Sequence, residues 1–346
     1  MSEILDRHHR QMRLAGFGEA GQRRIRGSRV LVVGCGALGS VVCEQLVRAG
    51  VGTVTVVDRD IVDVTNLQRQ TLFTTRDAER RMPKAEAAKA RLAQIDADVT
   101  VRAIVDDVHA GNALRYCRGH DLVIDCLDNF ETRSILNDSA VALGLPLIYG
   151  GAVGFRGMAA VLLPITGATD AVQPAREAEA AREAEAAREA EAARGRIAYD
   201  ASRAGPCLRC LMPDPPEPGE VETCDTVGVL SSAAGIAASI EAAFALRLLA
   251  EHPMSVEPSL VRFDLAQGSF SSATLVGARD PDCAACGAGR NGFIGRDGTE
   301  VGRSGAIDSS RPRILCGRNA VEIPLGGALS PASRDRIAAR LAARGE

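Results

Sequence analysis

Short unbroken apolar runs alternate along this chain with longer segments whose apolar positions recur at helical spacing. That is the pattern of strands buried on both faces and joined by helices. The first run, Val30 to Val33, is followed by a helical segment ending near Gly50 and by a second run, Val54 to Val57. A helix opens at Met82-Pro83-Lys84 and runs to about Ile95, with Pro83 suited to a first helical turn. Strands follow around Val99 to Ile104 and at Leu122 to Ile124, then a helix over Glu131 to Leu143 and a strand from Pro146 to Tyr149. Met158 to Leu163 reads as a strand running back, so the second half of the sheet is expected to be antiparallel. A long small-residue helix, about Ser231 to Leu249, and strands around Leu260 to Asp264 and Ser271 to Val276 complete the pattern. The fold class is therefore α/β with a mixed sheet, parallel in its first half and antiparallel in its second.

Residues 1 to 28 are polar and basic, helical over Ile4 to Met12 and Glu19 to Ile25, and the block Arg7 to Gln11 reads as a solvated helical face. Residues 1–287 form one unit, interrupted at 175–194 by a low-complexity AREAEA repeat that reads as a solvated helix or a disordered insertion. Residues 288–346 read as a glycine-rich linker and a small appendage. It has strands at Pro312 to Cys316 and Ala320 to Ile323, then a helix from about Pro331 to Ala343, too few residues for much core.

Composition narrows the classes. The chain has 346 residues, 46% hydrophobic and 25% charged, with a formal net charge of -3, which gives no general case for nucleic-acid binding. No stretch reaches the roughly 18 uncharged apolar residues of a membrane helix, and the N-terminal sequence has no apolar signal core, so a cytoplasmic protein is expected. Five scattered histidines suggest no histidine metal site, and the ten cysteines are expected as metal ligands, reactive thiols and core residues rather than disulfides.

The chemistry concentrates at strand ends. Gly34, Gly36 and Gly39 form a G-x-G-x-x-G turn between the first strand and its helix, where the backbone can approach a phosphate and the helix N-terminus offers N–H groups. Asp58 ends the second strand, where a carboxylate can take ribose hydroxyls, so the unit reads as the βαβ core of a Rossmann-like nucleotide-binding domain. The next loop carries Asp60, Asn66, Arg69 and Gln70, with side chains suited to phosphate oxygens in Asn66 and Arg69. Lys84 stands at the positive end of a helix, a costly place for a cation unless an anion is bound. Asp125 and Asp128 follow the fourth strand. Asp128 is the candidate Mg²⁺ ligand, and Asp125 the candidate cap of the next helix.

Cys207-x-x-Cys210 and Cys283-x-x-Cys286 are two knuckles that together supply four thiolates for a structural Zn²⁺. Cys224 lies just before a helix, where the dipole favours a thiolate, with a buried small hydrophobe as the alternative. Cys35, Cys43, Cys117, Cys126 and Cys316 fit that buried role.

In order, R-x-x-R-Q, GCGALGS, D-x-D, NLQRQ, PK-x-E, DC-x-DN and the paired knuckles resemble the ThiF/MoeB/HesA family, bacterial relatives of the ubiquitin-activating enzymes, over about residues 4 to 287. The resemblance implies a homodimer that binds ATP·Mg²⁺ and adenylates the C-terminal glycine of a small ubiquitin-like carrier ending in Gly-Gly. In sulfur-carrier pathways this prepares a thiocarboxylate for thiamin or molybdopterin synthesis, with a sulfurtransferase or cysteine desulfurase as a further partner. Carried over by position, Gly34, Gly36 and Gly39 form the nucleotide loop, Asp58 binds ribose, Asn66, Arg69 and Lys84 hold the triphosphate, and Asp128 ligates Mg²⁺. Arg10 resembles the arginine that relatives supply to the partner's ATP. Cys224 aligns with a cysteine that in some relatives links covalently to the carrier and in others is dispensable. The AREAEA insertion falls in a crossover that in relatives runs near the carrier's tail, and the appendage is outside the minimal family pattern. Competing expectations are activation for conjugation or another acyl acceptor, a nicotinamide-dependent oxidoreductase, and a non-catalytic carrier-binding scaffold.

Overall fold

The computed structural model describes residues 7–163, 205–213, 221–250 and 256–287, and the backbone of 313–315 and 320–322. The AREAEA segment, Cys316 and the helix expected at 331–343 lie outside these residues. In chain order the elements are α1 His9–Met12, α2 Gly18–Gly27, β1 Arg29–Val33, α3 Ala37–Arg48, β2 Thr53–Val57, α4 Thr75–Glu79, α5 Lys84–Ile95, β3 Thr100–Ile104, α6 Ala113–Cys117, β4 Leu122–Asp125 and α7 Phe130–Leu143. They continue with β5 Leu147–Val153, β6 Arg156–Leu162, α8 Leu208–Leu211, α9 Cys224–Val227, α10 Ser231–Ala250, β7 Ser259–Asp264, β8 Ser269–Thr274, β9 Arg313–Leu315 and β10 Ala320–Glu322.

Eight strands form one sheet in the order β3-β2-β1-β4-β5-β6-β7-β8. Strands β1, β2 and β4, rich in β-branched and aliphatic residues, are buried along nearly their whole length, which is why they read as apolar runs. From β3 to β5 every pairing is parallel, and from β5 to β8 every pairing is antiparallel, so the expected mixed sheet is present. Strands β2 and β4 flank β1 on opposite sides, and a crevice opens above the carboxyl ends of strands where the connections diverge in this way. The outer strand β8 is exposed throughout and starts two residues earlier than the apolar pattern implied. Strands β9 and β10 pair separately as an antiparallel ribbon.

Helix α10 packs against α3, β5 and β6 and buries alanines 233, 234, 237, 238, 242 and 245. Small side chains let the backbones approach closely, so this helix is apolar without a narrow stripe. It is long and apolar enough to cross a membrane by length and composition, yet it carries Glu241 and Arg247 and is mostly buried here.

Two short helices, α4 and α6, escape a reading based on apolar period because each is only five residues long. The Thr74–Asp77 capping box that opens α4 is a local signal that marks it. Pro83 is the residue before α5 rather than its first helical residue, and Lys84 takes that place.

The N-terminal block departs from a solvated face. His8 is buried, and a methyl group added at Gly50 would sit 2.6 Å from its Nε2. Gln11 donates to Gln22 at 2.8 Å and to the carbonyl of Ala49 at 3.2 Å, and Arg7 pairs with the buried Asp96 at 2.6 Å. The charge-rich block is thus seated on α2 and the end of α3, leaving His9 and Arg10 exposed. Burial lowers the pKa of His8.

Candidate functional site

The turn after β1 is built by close approach. Gly34 has φ 90° and donates to Val57 at 2.9 Å; a methyl group there would lie 2.6 Å from the carbonyl of Cys126. A methyl group at Gly39 would lie 2.0 Å from the carbonyl of Gly34, so the third glycine is what lets α3 start against the loop. A methyl group at Gly36 would touch only Gln70 Nε2, at 3.7 Å, and Gly36 borders an open space.

That space is a cavity of about 910 Å³ over the carboxyl ends of the strands. Its wall contains Gly34, Gly36, Asp58, Asp60, Asn66, Arg69, Lys84, Asp128 and Cys224, so one cavity gathers these candidates from distant parts of the chain. Gly39 packs behind the loop, and Arg10 is exposed outside this cavity.

Asp58 accepts from the N–H of Cys35 at 2.6 Å and from that of Asp60 at 2.8 Å, which ties the glycine turn to the end of β2. Burial raises its pKa, opposed by the charge of Lys84. The Lys84 side chain is 8% exposed, and its ammonium lies 2.8 Å from Asp60. Burial pulls its pKa down, but Asp58 and Asp60 outweigh that and hold it above the ordinary value. The site lysine thus already has carboxylate partners.

Asn66 accepts from the N–H of Asp63 at 3.2 Å in a one-turn 3-10 capping box, which fixes the loop. Arg69 folds back to the carbonyl of Thr65 at 3.0 Å. Asp128 is open to the cavity although protein surrounds it. Desolvation and then the neighbouring Asp60 raise its pKa, against the attraction of Lys84 and Arg133. Asp58, Asp60 and Asp128 therefore crowd one ammonium, a surplus of negative charge that suits a divalent cation.

Asp125 does not cap the following helix. Asn129 does, accepting from Thr132 at 2.8 Å, while Asp125 is fully buried, accepts from Leu127 at 3.0 Å and pairs with Arg133 at 3.3 Å. Asp125 sits at the end of a central strand, where the buried guanidinium claims it first. Arg133 also donates to the carbonyls of Leu127 and Gly150 and lies 4.6 Å over the Tyr149 ring, so it braces the loop that presents Asp128. Sequence reasoning missed Arg133, because nothing in a helical arginine signals such partners. In the sequence Gln70 is only one more polar residue of its loop. It is buried in the cavity wall, and its Oε1 has no hydrogen-bond partner.

Cys224 is the first residue of α9, half-buried in the cavity wall, behind a capping box of Thr223 and Thr226. An exposed Arg156–Glu222 pair stands on the same side. Cys35, Cys43, Cys117 and Cys126 are buried free thiols, as expected, although Cys126 also touches the cavity.

The four knuckle cysteines converge. Their sulfurs all lie within 4.8 Å of one another, with contacts of 3.9 Å for Cys207–Cys210, 3.6 Å for Cys207–Cys283 and 3.3 Å for Cys210–Cys286. A tetrahedron of sulfurs about 2.3 Å from zinc has edges near these values, so the donor set fits Zn²⁺. Hydrogen bonds among the thiols raise Cys207 and lower Cys286, as expected of thiols too close to ionise together without a cation.

Similarity to known proteins extends over most of the chain. A family model described as the ThiF family matches residues 8–285. The sulfur carrier protein ThiS adenylyltransferase of Bacillus subtilis is 35% identical over 317 residues, which span 92% of this chain and 79% of that protein. The sulfur carrier protein adenylyltransferase of Thermus thermophilus is 38% identical over 285 residues, spanning 82% and 92%. The crystal structure of E. coli MccB with ATP shares the fold at a TM-score of 0.57 and 18% identity, covering 78% of this chain and 69% of its own.

Proposed function

The chain belongs to the ThiF family, and from that premise we propose that it is an adenylyltransferase acting on the C-terminal glycine of a small ubiquitin-like sulfur carrier. Residues 1–287 are assigned to this activity, and the pathway to thiamin or molybdopterin sulfur transfer. The observation that carries the reading is that one cavity holds the glycine turn, Lys84, Arg69, Asp128 and Cys224 together.

The reaction joins two anions. A carboxylate oxygen of the carrier, ionised at pH 7 without a general base, attacks the α-phosphorus of ATP. The acyl–phosphate bond forms as the bond from that phosphorus to its bridging oxygen breaks, and pyrophosphate leaves with the electron pair. In this reading Asp58 holds the ribose and the glycine turn admits the phosphates. Asn66, Arg69 and Lys84 hold the triphosphate where negative charge builds up. Asp128 and its neighbour Asp60 would hold Mg²⁺, which when bound supplies further neutralisation at the phosphate oxygens. Asp60 also orients Lys84 through their ion pair.

Arg10 is the residue this cavity lacks from its own chain. Its helix is clamped by Arg7, His8 and Gln11, which suits presentation to a second copy in a homodimer. In this reading Cys224, in the cavity wall, would act in a later step, attacking the acyl-adenylate to give a thioester and AMP. A sulfurtransferase or cysteine desulfurase would then supply sulfur.

The test is exchange of labelled pyrophosphate into ATP with small ubiquitin-like proteins ending in Gly-Gly, each beside a version lacking the last glycine. Exchange with one carrier, lost on shortening it, is the expected result. ATP binding with no exchange for any carrier would defeat the reading in favour of another acyl acceptor or a scaffold.

A further inference from the structure

Arg81 is the only non-glycine residue at positive φ among the described residues, at 50°. An L side chain adopts that conformation at a cost, and such positions persist where surrounding structure holds them, often at binding sites. The holding contacts are present. Arg81 N–H donates to Ala78 at 3.0 Å and Met82 N–H to Asp77 at 3.0 Å, closing the turn after α4. Val62 then donates to Met82 at 2.8 Å and Lys84 to Asp60 at 2.8 Å, stitching the same turn to the loop that carries Asp60.

This turn places an exposed guanidinium in the cavity wall three positions before the buried Lys84. Four cations of the wall are matched by carboxylates, Arg59 with Asp107, Lys84 with Asp60, Arg133 with Asp125 and Arg156 with Glu222, whereas Arg69 turns to the carbonyl of Thr65 and Arg262, on β7, pairs with no carboxylate among the described residues. Among the described residues no carboxylate pairs with Arg81. A left-handed arginine with no carboxylate partner, its backbone held in the turn that leads into Lys84 and its side chain more exposed than that lysine in the same cavity wall, has the features of an anion contact.

We infer that Arg81 binds the outer phosphates of the nucleotide and the pyrophosphate derived from them, a role that rests on the adenylation reading above. Lys84 serves the inner part of the polyphosphate and Arg81 the part toward the mouth, where the leaving group departs. The guanidinium fork suits two oxygens of a terminal phosphate.

The test is calorimetric binding of ATP, pyrophosphate and AMP to the full chain and to R81G, R81Q and R81K. Glycine is the informative replacement, because it removes the charge and suits the left-handed backbone, so R81G should melt no lower than the parent. R81G and R81Q should each bind ATP and pyrophosphate roughly tenfold more weakly, about one charge-assisted hydrogen bond, with AMP affinity unchanged. R81K should keep most of the affinity. Unchanged pyrophosphate affinity in R81Q would overturn the assignment, as would equal losses for AMP and pyrophosphate. A parent protein that bound no ATP would instead defeat the adenylation reading. If R81G fails to fold, the contrast between R81Q and R81K decides.

Discussion

At the scale of single residues the site is a set of charges held in costly positions. Asp128 is surrounded by protein yet open to the cavity, and desolvation, then the neighbouring Asp60, make its ionised form harder to keep. Such a group gains most from a bound cation. Replacing it with alanine removes the proposed ligand without emptying a packed core, so Asp128→Ala should lose pyrophosphate exchange by at least about a hundredfold while melting near the parent. Retained exchange would exclude a metal role. A histidine far from the cavity gives a different prediction. Burial pushes His120 down to about 4, and its Nε2 lies 2.8 Å from Thr55 Oγ1. The unfolded chain takes up this proton near the ordinary histidine value, whereas the folded chain resists it. Stability should therefore fall as pH drops from about 6.5 to 4 and then level off, with an upper bound of roughly 3 kcal/mol for this group. Partial exposure of the ring reduces that figure. Denaturant titrations of the parent and of His120→Gln across this range would measure it; equal pH slopes would exclude the contribution.

At the scale of elements, the β1 turn and α3 act as one piece, because the first residues of α3 lie against the turn itself. An added methyl group at Gly39 would stand 2.0 Å from the Gly34 carbonyl, where backbone rather than a flexible side chain must yield. Gly39→Ala should cost roughly 1–3 kcal/mol or more in stability and weaken nucleotide binding together with it. In Gly36→Ala the added methyl group meets only Gln70 Nε2, at an ordinary contact distance of 3.7 Å, so the variant should retain stability while weakening binding, since Gly36 lines the cavity. Urea melts and ATP titrations of the two variants would separate these effects; the same profile in both would contradict this division of roles.

At the scale of the whole molecule, the four-cysteine centre joins segments 76 residues apart and packs beside Val141 of α7. Leu208, next to Cys207, donates to Asn137 of α7 at 2.8 Å, so the knuckles brace the helix that also carries Arg133. Structural zinc contributes folding energy through its thiolates. Chelation, or Cys283→Ser, should lower the melting temperature by several degrees and release about one zinc per chain, read by metal analysis. An unchanged melting curve after complete metal loss would show that the centre does not support the fold. The proposed dimer has its own signature. Mixed dimers of Arg10→Ala and Lys84→Ala chains contain one cavity with both residues intact only if Arg10 serves the partner. Exchange should then recover to about half of the parent's activity, where a cis arrangement would give none.

The sequence alone determined the elements and chemistry that depend on neighbours along the chain. Apolar runs marked the central strands because both sheet faces are buried. Gly34, Gly36, Gly39 and Asp58 marked the turn because its geometry restricts residue type locally, and the C-x-x-C spacing marked each knuckle. Tertiary structure decided what depends on distant partners. It assigned Asp125 to Arg133 instead of a helix cap, gave Lys84 the carboxylate of Asp60, and seated His8 against Gly50. It also revealed Gln70 and the strained backbone of Arg81. No local pattern encodes these contacts, because burial, ion pairing and backbone strain arise only when segments far apart in sequence are brought together.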